Sequence, residues 1–194
     1  MKVLKFGGSS ISSAKNIENV FNIIKSYESN IVVIFSAFGK TTDDLIKCGK
    51  LASKRDNDYK NVLKSILENH LKICKELFEV KNQTEILSHI QKNFNDLGSL
   101  IEGVYNLKEF STKTYDTISG FGELLSYYII GKLGLQRGLD LELKDSREII
   151  TTQLIKLGSI QIDYNLTERK WKDFSEKTNN KIIIMPGFIA RDNF

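Results

Sequence analysis

The sequence contains little of what several protein classes require. Its 194 residues include two cysteines and two histidines, and Cys48 and Cys74 fall in predicted helices without other metal ligands at suitable spacing. We therefore expect no metal site, and reduced thiols in a cytoplasmic protein. No apolar run approaches the roughly 20 residues of a membrane span, and the N-terminus reaches glycines too early for a signal peptide.

Clustered charge of one sign is also missing. The net charge is +4 and the basic residues are spread along the chain, whereas a nucleic-acid-binding face usually needs clustered lysine and arginine. The composition thus predicts neither a membrane partner nor a nucleic-acid partner, and it favours a small soluble substrate if the protein is an enzyme.

The beginning of the chain predicts a parallel α/β unit. Residues 3–6 form a short apolar-rich strand that ends at two glycines, and apolar residues then recur at helical spacing. Ser12 or Ser13 is the expected N-cap of this helix. Residues 31–35 (IVVIF) suit a strand buried on both faces. Strand, glycine loop, helix and strand are the opening of a parallel sheet.

The middle of the chain is helical by pattern over residues 43–138. Two long helices, separated near residues 80–83, should pair as an antiparallel hairpin inserted into the α/β core. A third helix is predicted over about residues 115–135.

Strand patterns return at residues 139–143 and 181–185, on either side of a helix predicted over 165–179. Trp171 and Phe174 lie on the apolar side of that helix. The chain stops just after a strand, and ligands of open α/β sheets bind at the carboxyl ends of strands.

The loop after the first strand contains the first group of residues that could bind a ligand. Gly7 and Gly8 let backbone N–H groups approach an anion, and the next helix points its positive N-terminal end towards them. Lys5 adds a cation, and Ser9 and Ser10 add hydroxyls. The cluster matches neither the P-loop nor the GxGxxG pattern, so a plain strand-to-helix turn with an exposed lysine is equally compatible with it.

A second polar loop opens at Ser36, at the same edge of the predicted sheet. It continues through Gly39 to Thr42 and Asp43. Thr42 or Asp43 would alternatively serve only as the N-cap of the following helix.

A third cluster surrounds Glu123 in the third long helix. Gly120 and Gly122 are unfavourable there by roughly 1 kcal/mol each relative to alanine, so they suggest close approach of backbone or ligand. The apolar neighbours Phe121 and Leu124 argue against a solvated Glu123.

Four motifs resemble the aspartokinases of the amino-acid kinase superfamily in order and spacing: KFGGSS, SAFGKTTDDL, SGFGELLS and PGFIA. The similarity covers the whole chain and is greatest to the N-terminal kinase part of bifunctional aspartokinase/homoserine dehydrogenases. It implies an amino-acid kinase-like α/β fold, with a mainly parallel sheet between helical layers and a helical insertion at about residues 43–112. Residues 1–194 would be a truncated, aspartate-binding part that lacks the C-terminal nucleotide-binding part.

The resemblance also implies roles for individual residues. Lys5 would contact the transferring phosphate, and Gly7, Gly8 and Ser9 would line the phosphate loop that binds ATP. On the substrate side, Ser36 and Thr42 would bind aspartate, and Glu123 would interact with its α-amino group.

The implied reaction is phosphoryl transfer from ATP, with Mg²⁺, to the side-chain carboxylate of L-aspartate. Its product is 4-phospho-L-aspartate, the first intermediate on the way to lysine, threonine and methionine. A free aspartate carboxyl has a pKa of about 3.9 and is already ionised, so no general base is needed. NADP would be a cofactor only if a dehydrogenase domain followed. The resemblance further suggests a homo-oligomer and an isolated chain without turnover.

Two other interpretations remain open from the residues. The chain could be another amino-acid kinase, acting on glutamate or a carbamate, because the glycine loop alone allows that. It could also be a non-catalytic amino-acid-binding or assembly module.

Overall fold

The central sheet contains four parallel strands in the order β1-β2-β6-β3. Their bounds in the computed structural model, which describes residues 1–155 and 159–192, are β1 Lys2–Phe6, β2 Ile31–Phe35, β3 Leu141–Leu143 and β6 Ile182–Pro186. The IVVIF run forms β2, between β1 and β6, and its β-branched side chains pack on both faces of the sheet. The parallel α/β core predicted from the sequence is therefore confirmed.

Seven α-helices surround this sheet within the described residues. They are α1 Ala14–Lys25, α2 Thr41–Ser53, α3 Tyr59–Leu77, α4 Gln83–Leu107, α5 Thr112–Gln136, α6 Ser146–Ile149 and α7 Tyr164–Ser175. Ser13 is the N-cap of α1, and its side chain accepts a hydrogen bond from the backbone N–H of Asn16. This confirms one of the two N-caps expected from the sequence.

The two longest predicted helices do form an antiparallel hairpin. Tyr59 near the start of α3 lies against Tyr105 near the end of α4, and His70 lies against Phe94, each with ring centroids 5.5 Å apart. A single turn of 3-10 helix, Val80–Asn82, connects the two helices. Apolar residues of both helices, such as Ile66 and Cys74 of α3 and Ile90 and Leu97 of α4, are buried in one core, and this burial stabilises both helices.

The sheet lies between two helical layers of unequal size. On one face, α1, α5 and the hairpin bury the large core that contains Phe21, Phe35 and Ile129. On the other face, Val32 and Ile183 pack with Trp171 and Phe174 of α7. The predicted apolar side of α7 is thus the side that covers the sheet.

A second, three-stranded sheet was not predicted. It has the order β5-β4-β7, with β4 at Thr151–Leu154, β5 at Ile160–Ile162 and β7 at Arg191–Asp192. These strands have two to four residues and are mostly exposed. The strands are too short for their sequences to predict them, so pairing between segments decides their structure.

We predict that Gly131→Ala lowers the free energy of unfolding by about 1–2 kcal/mol, because overpacking outweighs the gain in helix propensity. A Cβ atom at Gly131 of α5 would lie 2.1 Å from Cδ2 and 2.7 Å from Cγ of Leu143. Urea unfolding of the chain measures the change.

The matched control is Gly103→Ala in α4, where an added Cβ would meet no atom within 4 Å. That change should stabilise the chain by up to about 1 kcal/mol. Equal stabilisation by both substitutions would contradict the close contact between α5 and β3.

Candidate active site

The loop after β1 is pressed against the loop after β2. The backbone N–H of Gly39 donates to the carbonyl of Gly8 over 3.1 Å. A Cβ atom on Gly8 would lie 2.6 Å from the carbonyl oxygen of Gly39 and 2.8 Å from that of Ala37. Only glycine fits at position 8, because the obstacle is backbone and cannot rotate away.

The neighbouring Gly7 has a different environment. A Cβ atom there would meet nothing within 4 Å, so the peptide of Gly7 borders open space. Ser9 is exposed, and its carbonyl accepts hydrogen bonds from Ser12 and Asn16. The segment thus offers accessible backbone and a hydroxyl at the carboxyl end of β1.

Lys5 extends from β1 just before these glycines and is exposed. Its neighbours in the strand, Leu4 and Phe6, pack against the large core, so Lys5 emerges on the opposite face by strand alternation. Within the part of the chain that the structure describes, Lys5 forms no ion pair with a carboxylate.

The loop after β2 places two threonines in different environments. Helix α2 begins at Thr41, and its N-cap is Lys40, so the interpretation of Thr42 or Asp43 as the cap is wrong. Thr41 is buried, with its Cγ2 atom 3.3 Å from a Cβ built on Gly122, whereas Thr42 is only half-buried. Thr42 is therefore the more accessible hydroxyl in the first turn of α2.

Glu123 is the buried ionisable group of this region. It is 3% exposed. Burial raises the pKa of Glu123, and the nearby backbone N–H groups of Glu123 and Ala37 and the hydroxyl of Ser36 only partly oppose that effect. Its Oε2 atom has no hydrogen-bond partner among the described residues. A buried carboxylate with one oxygen unpaired is ready to accept a cationic group.

Two glycines bring Glu123 to this position. A Cβ atom on Gly122 would lie 2.6 Å from Cβ of Ala37, and one on Gly120 would lie 3.0 Å from Cγ2 of Ile189. Helix α5 therefore touches both the loop after β2 and the loop after β6. The prediction that these glycines mark a close approach of backbone is confirmed.

Sequence reasoning gave no role to Ser126 and Phe188. Ser126 is fully buried one turn after Glu123, and its hydroxyl donates to the carbonyl of Ser36 over 2.6 Å. Phe188, in the loop after β6, is 90% exposed with a φ of 59°. A non-glycine residue in the left-handed region is strained, and such strain clusters at functional sites. Both residues lie inside the motifs SGFGELLS and PGFIA, which were the available signal.

The predicted residues thus fall into two groups. Ser36, Thr42 and Glu123 belong to elements in direct contact, and Gly8 touches the same loop from the β1 side. Lys5, Gly7 and Ser9 lie at the adjoining end of β1. The loops after β1 and β2 both leave the carboxyl edge of one parallel sheet, as expected, and Glu123 reaches that edge from α5.

No group of three or more His, Cys, Asp or Glu side chains suited to a metal occurs in residues 1–155 and 159–192. None of the described helices is both long and apolar enough to span a membrane. Cys48 and Cys74 are free and buried, and burial raises the pKa of each thiol to about 12. These thiols are therefore protonated and unreactive at neutral pH.

We predict that Glu123→Gln stabilises the chain more at neutral pH than at pH 4. Since burial raises the pKa of Glu123 above its ordinary value of 4.5, the folded state binds the proton more tightly than the unfolded state. The free energy of unfolding therefore falls as the pH rises through the raised pKa, and the amide removes this loss. Urea unfolding of both forms across this pH range measures the difference.

Glu68→Gln on the exposed surface of α3 is the control and should give a difference that does not change with pH in this way. A pH-independent difference for Glu123→Gln would show that the carboxyl group is not strained by burial.

Family, sequence and structure comparisons all relate this chain to amino acid kinases. A family model described as "Amino acid kinase family" matches residues 1–193. The bifunctional aspartokinase/homoserine dehydrogenase 2, chloroplastic, of Arabidopsis thaliana is 27% identical over 189 residues, which are 97% of this chain and 21% of the relative. The chain thus spans about a fifth of the length of that relative.

Solved structures show the same fold. E. coli aspartokinase III in complex with lysine and aspartate superimposes with a TM-score of 0.85 at 19% identity, over 100% of this chain and 42% of the other. The same enzyme in complex with aspartate and ADP gives a TM-score of 0.84 at 20% identity, again over 100% and 42%. The predicted amino-acid kinase-like fold is therefore confirmed.

Proposed function

Because the chain belongs to the amino acid kinase family, whose model covers residues 1–193, we propose that it forms the aspartate-binding part of an aspartate kinase. The reaction is phosphoryl transfer from ATP to the side-chain carboxylate of L-aspartate, giving 4-phospho-L-aspartate. The observation that carries the proposal is the buried carboxyl group of Glu123 beside Ser36, whose Oε2 atom has no hydrogen-bond partner within residues 1–155 and 159–192.

Glu123 binds the α-amino group of the substrate. An ammonium group at Oε2 would satisfy the unpaired oxygen and offset the desolvation of the carboxylate. A ligand without an ammonium group leaves that oxygen unpaired, so the site discriminates against it. The hydroxyl of Ser126 donates to the carbonyl of Ser36. This bond holds the loop after β2 against α5, and so keeps Ser36 close to Glu123.

Ser36 and Thr42 bind the substrate from the loop after β2. The hydroxyl of Ser36 contacts Glu123, so it orients the carboxyl group as well as lining the site. Thr42 is half-buried at the start of α2, where a carboxylate of the substrate would also feel the positive end of the helix.

Lys5, Gly7, Gly8 and Ser9 bind the phosphate groups of ATP. The open space at Gly7 lets an anion approach the backbone, and the exposed Lys5 places a cation beside it. The attacking carboxylate is already ionised at neutral pH, so the catalytic task is to stabilise and position two anions. Mg²⁺, when bound through the phosphates, neutralises part of their charge.

Several wider features are part of the same proposal. Residues 43–112 form the insertion in an N-terminal kinase part that spans residues 1–194, and the intact protein forms a homo-oligomer. A cytoplasmic location agrees with the two free, buried cysteines. Residues 156–158 and 193–194 of the proposed kinase part lie outside the described residues.

We predict that Lys5→Ala reduces kcat for aspartate-dependent ADP formation by at least about 100-fold, while KM for aspartate changes less than about threefold. Loss of a cation aimed at the transferring phosphoryl group removes stabilisation that exists mainly in the transition state. A coupled assay for ADP measures both constants, on this chain and on longer proteins that contain it.

Lys2→Ala at the other end of β1 removes a second exposed lysine from the same strand and should leave both constants unchanged. Turnover with glutamate or with a carbamate in place of aspartate would identify a different amino-acid kinase. Aspartate binding without ADP formation in every protein tested would identify a non-catalytic module.

We predict that Glu123→Gln and Thr42→Val each raise KM for aspartate by at least about tenfold, with a smaller effect on KM for ATP. Each substitution leaves a substrate group without its partner, which costs about 1–3 kcal/mol. Initial rates at varied aspartate and saturating ATP measure this change.

The matched controls are Glu68→Gln and Thr117→Val, which alter the same residue types on exposed helical surfaces. Unchanged saturation by aspartate in both site variants would remove Glu123 and Thr42 from the substrate site.

A further inference from the structure

The short segment Asp145-Ser146-Arg147 follows β3 at the same sheet edge as the candidate site. The backbone N–H of Lys144 donates to the carbonyl of Ile184 over 2.9 Å, which extends the pairing of β3 with β6. Ser146 is 3% exposed, and its hydroxyl donates to the carbonyl of Pro186, the last residue of β6. The segment therefore fixes the point at which the next loop leaves the sheet.

That loop covers residues 187–190 and carries Phe188. At its beginning, the backbone N–H of Gly187 donates to the carbonyl of Phe35 over 2.7 Å. At its end, the backbone N–H of Arg191 donates to the carbonyl of Ile150 over 3.0 Å, and Thr152 donates to the carbonyl of Arg191 over 3.2 Å. The beginning of the loop is thus held by β2 and by Ser146, and its end is held by residues 150 and 152, which follow β3.

Asp145 orders the segment itself, because it is the N-cap of α6. Its carboxylate accepts hydrogen bonds from the backbone N–H of Arg147 over 2.9 Å, from Nε of the same residue over 3.1 Å and from Nη2 over 2.6 Å. Burial acts to raise the pKa of Asp145, but Arg147 and the charge of Arg191 lower it overall. Asp145 and Arg147 thus fix the turn from which Ser146 reaches Pro186.

The loop itself touches the candidate site. Ile189 lies against Gly120, one turn before Glu123, where a built Cβ would be 3.0 Å from Cγ2 of Ile189. Phe188 stands exposed in a strained conformation between this contact and the end of β6. A strained residue persists only when its surroundings hold it, and here hydrogen bonds with Phe35, Ser146, Ile150 and Thr152 hold the two ends of the loop.

We propose that Asp145, Ser146 and Arg147 are positioning residues that hold the loop 187–190, and with it Phe188, against the amino-acid site. They act through the loop and need no contact with the substrate. The inference rests on the proposed function in so far as the site binds aspartate, but the restraint on the loop is a property of the chain alone.

Hydrogen exchange of the 194-residue chain tests the restraint. In Asp145→Asn and in Ser146→Ala, amides of residues 187–190 should exchange at least about fivefold faster, because the buried hydrogen bond from Ser146 to Pro186, or the cap that positions Ser146, is weakened or lost. Asp96→Asn and Ser99→Ala, both on the exposed surface of α4, are the matched controls and should leave the loop unchanged. Unchanged exchange in the loop, or equally faster exchange in β2, would overturn the inference.

Kinetics in an active protein containing this chain test the consequence. Both variants should raise KM for aspartate about fivefold or more with kcat nearly retained, and Arg147→Lys should fall between them and the wild type. Combining Ser146→Ala with Phe188→Ala should raise KM no further than Phe188→Ala alone, because both act through one loop. Additive effects, or a fall in kcat and thermal stability with KM unchanged, would overturn the positioning role. Absence of aspartate-dependent turnover in the wild type would instead overturn the proposed function, while hydrogen exchange still decides whether the segment restrains the loop.

Discussion

The site depends on two places where backbone meets its neighbour without an intervening side chain. Gly8 faces the carbonyl oxygens of Ala37 and Gly39, and Gly122 faces Cβ of Ala37. Both contacts converge on the loop after β2, which is therefore clamped between β1 and α5. Without this approach Glu123 could not reach the hydroxyl of Ser36, because its side chain extends from a helix that would stand farther from the sheet.

The close contacts of Gly8 and Gly122 with the loop after β2 place opposite charges on the two sides of the sheet edge. On one side the carboxyl group of Glu123 is buried with Oε2 unpaired, and on the other side Lys5 is exposed beside the open peptide of Gly7. A buried anion is sensitive to whether its ligand carries a positive charge, whereas an exposed lysine tolerates a large polyanion. This division suits a site that selects a small zwitterion and accepts a nucleotide phosphate next to it.

The helical hairpin of α3 and α4 packs against the loop after β2. Phe38, in the middle of the loop, is buried, and its ring centroid lies 5.3 Å from that of His70, which in turn lies against Phe94 of α4. Burial lowers the pKa of His70 to about 4, so this histidine is neutral at physiological pH and packs as an aromatic side chain. Through this contact the helical hairpin supports the loop after β2.

The sequence by itself determined the parallel strands, the long helices, the two polar loops and the glycines beside Glu123. Strand and helix periodicity are local, and glycines in unfavourable places mark close contacts wherever the partner lies. Only the tertiary structure decided that Thr41 is buried and Thr42 accessible, that Oε2 of Glu123 is unpaired, and that Phe188 is held in a strained conformation. These features result from contacts between distant segments, such as the bonds from Ser126 to Ser36, 90 residues apart, and from Gly187 to Phe35. Local sequence preferences carry no information about such distances, so the chemistry of the site emerges only when the chain folds.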